Sequence, residues 1–107
     1  MNYRVIVTPE AETAINQAFE YILKASPLNA ARWLRNLYAK IDTLERFPER
    51  CARALEESYF DADLRQLVFQ SHRIIFRVDK TAHTVWVLCA RHSARLALGE
   101  RAKDDEA

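Results

Sequence analysis

The sequence predicts an α+β domain with the element order β-α-α-β-β-β, an antiparallel sheet with a helical hairpin packed on one face. Three observations predict it: a short alternating segment near the N-terminus, two stretches of helical period each opened by a hydroxyl residue and a proline, and three closely spaced runs of β-branched and aromatic residues after Ala62. Packing the apolar stripe of the hairpin on one face of the sheet is the simplest way to bury both, and it leaves the other face free. A chain of 107 residues has room for one such core and no second one.

The elements follow in order. Residues 3–8 (YRVIVT) alternate as a strand does, and Thr8-Pro9-Glu10 supplies an N-cap, a proline at the first helical position and an acidic first turn. A helix is predicted from Pro9 to Lys24, because Ala11, Ala14, Ile15, Ala18, Phe19 and Ile22 recur at steps of three and four. Ser26-Pro27 repeats the start signal. Ala31, Leu34, Leu37, Tyr38, Ile41 and Leu44 carry the second helix until Pro48 prevents propagation, and the short break between the helices makes an antiparallel pair. A charged loop is expected over 49–62. Leu64–Phe69, His72–Val78 and Thr84–Ala90 then read as strands, joined at Gln70-Ser71 and over 79–83 by hairpin turns into a meander. Residues 1–98 form the expected domain, 93–98 are weakly helical, and the charged tail 99–107 is expected to fray.

Composition excludes several function classes. A single glycine, Gly99, rules out a P-loop or a dinucleotide-binding fingerprint. Half of the residues are hydrophobic, enough for a core without disulfides, and Cys51 and Cys89 form no spaced framework. With no leader pattern and no apolar run near 20 residues, the cytoplasm is the expected compartment and membrane insertion is not expected. Cys89 and His92 have a metal-like spacing, but three residues apart on a strand means opposite faces, and zinc wants three or four ligands; neither a metal nor another cofactor is expected. Ser93 beside His92 is no triad, because adjacent residues cannot align as nucleophile and base.

Net charge is +1, but it is unevenly placed. Residues 64–98 hold six Lys and Arg against one acidic residue, and all three His. A basic patch in a near-neutral chain fits an anionic partner. The informative residues are Arg65, His72, Arg73, Arg77, Arg91, His92 and Arg95, in the segments LRQL, HRIIFRV and CARHSAR. Arg73 and Arg77 share one strand face, whereas His72, Ile74, Phe76 and Val78 share the other and read as core, with His72 at its edge. Only one of Arg91 and His92 belongs on the Arg73 face unless the strand bulges. Arginine grips phosphate or carboxylate bidentately and histidine moves protons near neutral pH, so the set suits either gripping an acidic partner or stabilising a phosphodiester during cleavage. Arg65, Arg73, Arg77, Arg91, His92 and Arg95 are therefore the candidate partner-binding residues. Arg73, Arg91 and Arg95 are expected to be exposed and to act through charge; the alternative for Arg73 is an internal ion pair with Asp63 or Asp79.

The element order together with LR, HRIIFRV and CARHSAR resembles the RelE/ParE superfamily of type II toxins, often labelled plasmid stabilisation proteins. The opening YRVIVTPEAETAINQAFEYI, the SPLNAARWLRNL helix start and the LERFPER helix end also look like this family, so the resemblance spans nearly the whole chain. It implies a toxin neutralised by a cognate antitoxin in a hetero-oligomer. The RelE-like branch cuts messenger RNA on the ribosome, and the ParE-like branch is known for poisoning DNA gyrase. Arg73 stands where the RNA-cutting branch has a catalytic arginine. The lysine pair of its preceding strand is absent, leaving Arg65 alone, and no tyrosine follows residue 92. His92 matches the catalytic histidine of the YoeB-like subset, with Ser93 in place of that subset's tyrosine. The resemblance thus implies a ParE-like gyrase inhibitor that performs no hydrolysis; the alternatives are a ribosome-dependent endoribonuclease using Arg73, His92 and Arg65, and a non-toxic binding module of the same fold.

Overall fold

The computed structural model describes residues 2–54 and 63–92. Strand β1 (Arg4–Val7) leads into helix α1 (Pro9–Ala25) and helix α2 (Pro27–Asp42), and strands β2 (Leu64–Phe69), β3 (His72–Asp79) and β4 (Thr84–His92) follow. The expected α+β class and element order are observed. The expected helicity of 93–98 and the fraying of 99–107 lie outside the described residues, as does part of the expected loop, 55–62.

The start signals work as chemistry. Thr8 Oγ1 accepts from the Ala11 backbone N–H at 3.2 Å and donates to the Val87 carbonyl at 2.8 Å, so one hydroxyl caps α1 and ties it to β4. Ser26 serves both helices. Its N–H donates to the Ile22 carbonyl at 2.9 Å and closes α1, while its Oγ accepts from the Asn29 N–H at 3.3 Å and opens α2. The second helix stops sooner than Pro48 requires. Thr43 turns its hydroxyl back to the Lys40 carbonyl at 2.6 Å, and the chain tightens into a 3-10 turn over Thr43–Glu45 and a second over Pro48–Arg50. Between them Phe47 sits in the left-handed region with φ 46°. Arg50 holds this corner, donating to the carbonyls of Thr43, Arg46 and Phe47 and to Thr43 Oγ1.

The sheet order is β1-β4-β3-β2, with β2-β3-β4 an antiparallel meander as expected and β1 added parallel to β4. The parallel edge follows from where the helical hairpin ends. The Tyr3 N–H donates to the Glu45 carbonyl at 2.7 Å, so the chain leaves α2 beside the start of β1. Strand β2 then sets out from that same end, and after two hairpin reversals β4 runs the same way as β1. Both hairpins turn through non-glycine residues at positive φ, Gln70 (51°) and His83 (49°), because this chain has no glycine there.

The main core lies between helices and sheet. Ala11 and Ile15 of α1 and Trp33, Leu37 and Ile41 of α2 meet Leu67, Ile74, Phe76, Val78, Val85 and Val87. The buried stripe of α2 runs through Ala30 and Trp33 and not through Ala31, which is exposed. The stripe starts one residue earlier than expected because Trp33 fills the sheet-facing position, against Phe69 and His72. Nor is the sheet's other face free, as expected from a two-layer packing. Ala54 joins Leu64, Ile75 and Leu88 there in a small second cluster, because the Arg53–Arg65 bridge and the Ala54 N–H to Leu64 carbonyl bond (2.9 Å) draw 53–54 onto β2. Among the described residues, no helix is long and apolar enough to cross a membrane.

Candidate functional site at the open end of the sheet

The basic residues singled out by sequence divide between two locations, and a one-residue irregularity decides the division. From the turn outward, β3 and β4 pair Asp79 with Thr84, Val78 with Val85, Arg77 with Trp86 and Phe76 with Val87. Continued unbroken, that register would set His72 opposite Arg91. A bulge between Ile75 and Phe76 shifts it by one, so Ile75 pairs with Cys89, Ile74 with Ala90, Arg73 with Arg91 and His72 with His92. Like therefore faces like at the open end of the hairpin. Arg91 is placed on the Arg73 face and His92 on the helix face, which resolves the choice that sequence left open.

On the face away from the helices, Arg73 and Arg91 are 5% and 7% exposed, so the expectation that they stand free in solvent is corrected. Their burial goes with the second apolar cluster, which occupies that face beside them. Arg73 Nη1 donates to Gln66 Oε1 at 3.1 Å across the neighbouring strand. Asp63 and Asp79, the acids considered for it, pair with other arginines: Asp63 with Arg65 (3.1 Å) and Arg53 (3.6 Å), Asp79 with Arg77 (4.0 Å). Arg77 also lies 5.8 Å from the centre of the Trp86 ring, within cation–π range. Arg95 lies outside the described residues.

Arg65 faces the helix side, away from Arg73. Its Nε donates to Asp63 Oδ1 (3.1 Å) and its Nη1 to the Glu49 and Cys51 carbonyls (2.9 Å each), so it pins 49–51 to β2. Burial raises the pKa of the adjacent Cys51 thiol.

The helix side of the open end is a groove of about 1060 Å³ between the later half of α1, the earlier half of α2 and the β3–β4 end. Here His72 and His92 meet edge to face with centroids 5.3 Å apart, and His72 meets Trp33 in the same way at 5.4 Å. His72 is half-buried and its Nδ1 has no hydrogen-bond partner. Burial, with the His92 charge adding to it, holds its pKa below the ordinary imidazole value. Sequence reading placed His72 only at the core edge and did not single out Arg32 or Trp33 of this groove. The signal was HR at 72–73 mirrored by RH at 91–92, legible as a facing pair only once the bulge is known. Among the described residues, no group of three His, Cys, Asp or Glu is placed to hold a metal ion.

Comparison with known proteins adds to this geometry. No curated protein matches the chain. Among solved structures, the chain is similar to one described as the chromosomal ParDE TA system from P. aeruginosa, with a TM-score of 0.69 at 14% identity over 84% of this chain and 95% of that one. It is also similar to a chain of the toxin-antitoxin complex RelBE2 from Mycobacterium tuberculosis (TM-score 0.62, 22% identity, 86% and 99% covered). A third is a chain of the archaeal RelE-RelB complex from Pyrococcus horikoshii OT3 (TM-score 0.57, 20% identity, 90% and 100% covered). At these identities the likeness is one of fold. The family model described as "ParE toxin of type II toxin-antitoxin system, parDE" matches residues 5–97, and the chain therefore belongs to the ParE toxin family of the RelE/ParE superfamily.

Proposed function

We propose that this ParE-family toxin acts by binding, with DNA gyrase as its target, and that a cognate antitoxin neutralises it in a cytoplasmic hetero-oligomer. The observation that carries the choice against RNA cleavage is the division of the would-be nuclease set. His92 and Arg65 belong to the helix side and Arg73 to the opposite side, and Arg65 is engaged in holding 49–51. General acid–base cleavage needs its proton carrier and its phosphate-stabilising cation at one scissile bond, which groups on opposite sheet faces do not provide. A binding poison needs only surfaces. The structural neighbours from M. tuberculosis and P. horikoshii are complexes with antitoxins, which supports such a partner here. Arg73, Arg91, Arg77, His92 and Arg95 are the residues we assign to partner contact.

The test compares the two targets directly. Purified toxin is expected to inhibit gyrase supercoiling or trap cleaved DNA, to leave ribosome-bound messenger intact, and to lose its effect when its cognate antitoxin is added. Codon-linked cutting on ribosomes, abolished in His92→Ala and Arg73→Ala, would replace this reading with the endoribonuclease one.

A further inference from the structure

The solvent faces of α1 and α2 mirror each other about the single residue that joins them. Helix α1 ends at Ala25, helix α2 begins at Pro27, and Ser26 lies between. The Tyr38 pKa is raised by burial and then by the charge of Glu12, which sets residues about equally far from Ser26 level along the hairpin. On the sides turned from the core, Gln17, Glu20 and Lys24 of α1 and Leu28, Arg32 and Arg35 of α2 are exposed at helical spacing. Counted from Ser26 they fall in level pairs: Lys24 with Leu28, Glu20 with Arg32, and Gln17 with Arg35. Among the described residues, Glu20, Arg32 and Arg35 make no ion pair. Arg32 and Arg35 are neighbours on their helix, where like charges are unfavourable and an anion from outside relieves them. Tyr21, Leu23 and Leu28, three of the five large hydrophobic side chains exposed among the described residues, lie at the same tip.

We propose that a second copy of the chain docks on this outer face of the hairpin, in a weak isologous dimer whose two-fold axis runs along the hairpin. Such an axis lays α1 of one protomer over α2 of its partner at the same level. Glu20 then meets the partner's Arg32 and Arg32 meets the partner's Glu20, so each contact occurs twice. Gln17 offers its side-chain carbonyl to the partner's Arg35, and the Lys24 stem covers the partner's Leu28. An axis across the hairpin would instead lay α2 on α2, arginine row toward arginine row, and charge opposes it. A partner of one charge sign would satisfy either Glu20 or the two arginines and oppose the other, whereas a copy of the same face satisfies both. The inference goes beyond the antitoxin and target readings above and depends on neither. Helices of 17 and 16 residues are about 25 Å long and about 10 Å wide, so the footprint is about 500 Å² per partner, at the low end for a specific contact. With its ion pairs at a solvated surface, the dimer is weak and salt-sensitive.

The experiment is sedimentation velocity of the full-length chain alone, from about 1 to about 200 µM, in low salt and in about 1 M salt. The expected result is a mass that rises toward that of a dimer with concentration, and a dissociation constant at least about fivefold higher in the high salt. Arg32→Glu and Glu20→Arg are each expected to weaken the dimer at least about tenfold, because each sets like charge against like twice. Mixed in equal amounts, the two variants are expected to pair with each other, and the double variant with itself, since both arrangements restore opposite charges. A thermal melt of each variant is the folding control. Leu28→Ser leaves every charge in place and is expected to weaken the dimer by about threefold or more, which keeps the test open if a reversal fails to fold. A chain that stays monomeric over the whole range overturns the inference. So does a dimer that neither the reversals nor Leu28→Ser weaken, or a loss that neither the mixture nor the double variant restores. A monomeric parent whose antitoxin binding is lost in Arg32→Glu would give this face to that partner, and overturns the inference as well.

Discussion

The two ends of the β3–β4 hairpin use the same residue types to opposite purpose. At the turn end, each carboxylate has a partner: Lys80 Nζ lies 2.9 Å from Glu49 Oε2, Tyr3 OH donates to Glu49 Oε1 at 3.4 Å, and Asp79 Oδ1 accepts from the Ala82 N–H at 3.0 Å. At the open end Arg73 faces Arg91 and His72 faces His92. Like charges directly across an antiparallel pair disfavour folding, whereas opposite charges favour it. Charge at the turn end thus serves the fold. At the open end a bulge sets like opposite like, and of the basic residues in 64–98 it holds Arg73 and Arg91, whereas Arg65, Arg77 and Lys80 lie toward the turn end.

The sharpest way to break this contrast is to neutralise the open end. Arg73→Gln and Arg91→Gln are expected to weaken antitoxin binding by roughly 2 to 5 kcal/mol each, the usual cost of removing one partner from a desolvated charged contact. Affinity is measured on the folded fraction, with a melt recorded separately because both residues are buried. Unchanged affinity with a collapsed melting temperature would make them structural residues and erase the difference between the two ends.

Arg65 sharpens the comparison from the other side, since it belongs with the turn-end group by function although sequence placed it among partner-binding residues. Arg65→Met removes three hydrogen bonds from a charged donor and leaves the Glu49 and Cys51 carbonyls without it. A loss of about 3 kcal/mol is expected, visible as a melting temperature lower by more than about 10 °C, with the affinity of the folded fraction kept. A normal melt with lost affinity would return Arg65 to the partner surface.

These cases show why the fold was more legible than the site. Thr8-Pro9 and Ser26-Pro27 are local signals, and their hydroxyls do cap the two helices. Gln70-Ser71 limits β2 and β3 within one residue for the same reason, a constraint imposed by neighbours in the chain. The carbonyl partners of Arg65 lie 14 and 16 residues away in a loop of no period, and no pattern announces them. The bulge is equally silent. It inverts the faces of Arg91 and His92 relative to an unbroken strand, and β-branched composition is the same with or without it. The parallel β1–β4 pairing depends on Tyr3 meeting Glu45, again a contact that sequence spacing does not report.

A smaller effect is expected from pH on the unbound toxin. His72 has a folded-state pKa below its unfolded value, so in that window the unfolded chain binds more protons and stability rises with pH. Stability is therefore lost as pH falls from the ordinary imidazole value of about 6.5 through the folded one. Denaturant melts between pH 8 and pH 5 are expected to show this slope, attenuated by the ring's partial exposure, and His72→Gln to reduce it. Stability that increases toward pH 5 would contradict the burial of a neutral ring.

The smallest effect belongs to the best-formed ion pair at the turn end. Lys80 and Glu49 are 2.9 Å apart, and each shifts the other as a pair should: Lys80 holds Glu49 below its ordinary value, and Glu49 raises Lys80. The signs define a plateau. The Glu49 contribution is present above the ordinary carboxylate pKa and lost as pH falls through its lowered one; the Lys80 contribution is present below the ordinary ammonium pKa and lost as pH rises through its raised one. Both side chains are largely in water, with 65% and 37% of their surface exposed, so solvent and salt screen most of the attraction. Lys80→Met is expected to lower the melting temperature by less than about 5 °C at neutral pH, with the difference shrinking further in 1 M salt. Antitoxin affinity should be unchanged, because this residue lies at the end of the hairpin away from Arg73, Arg91 and His92. A Lys80→Met variant that folds normally but binds antitoxin at least about tenfold more weakly would extend the partner surface along the whole hairpin, and the division of labour between its ends would no longer hold.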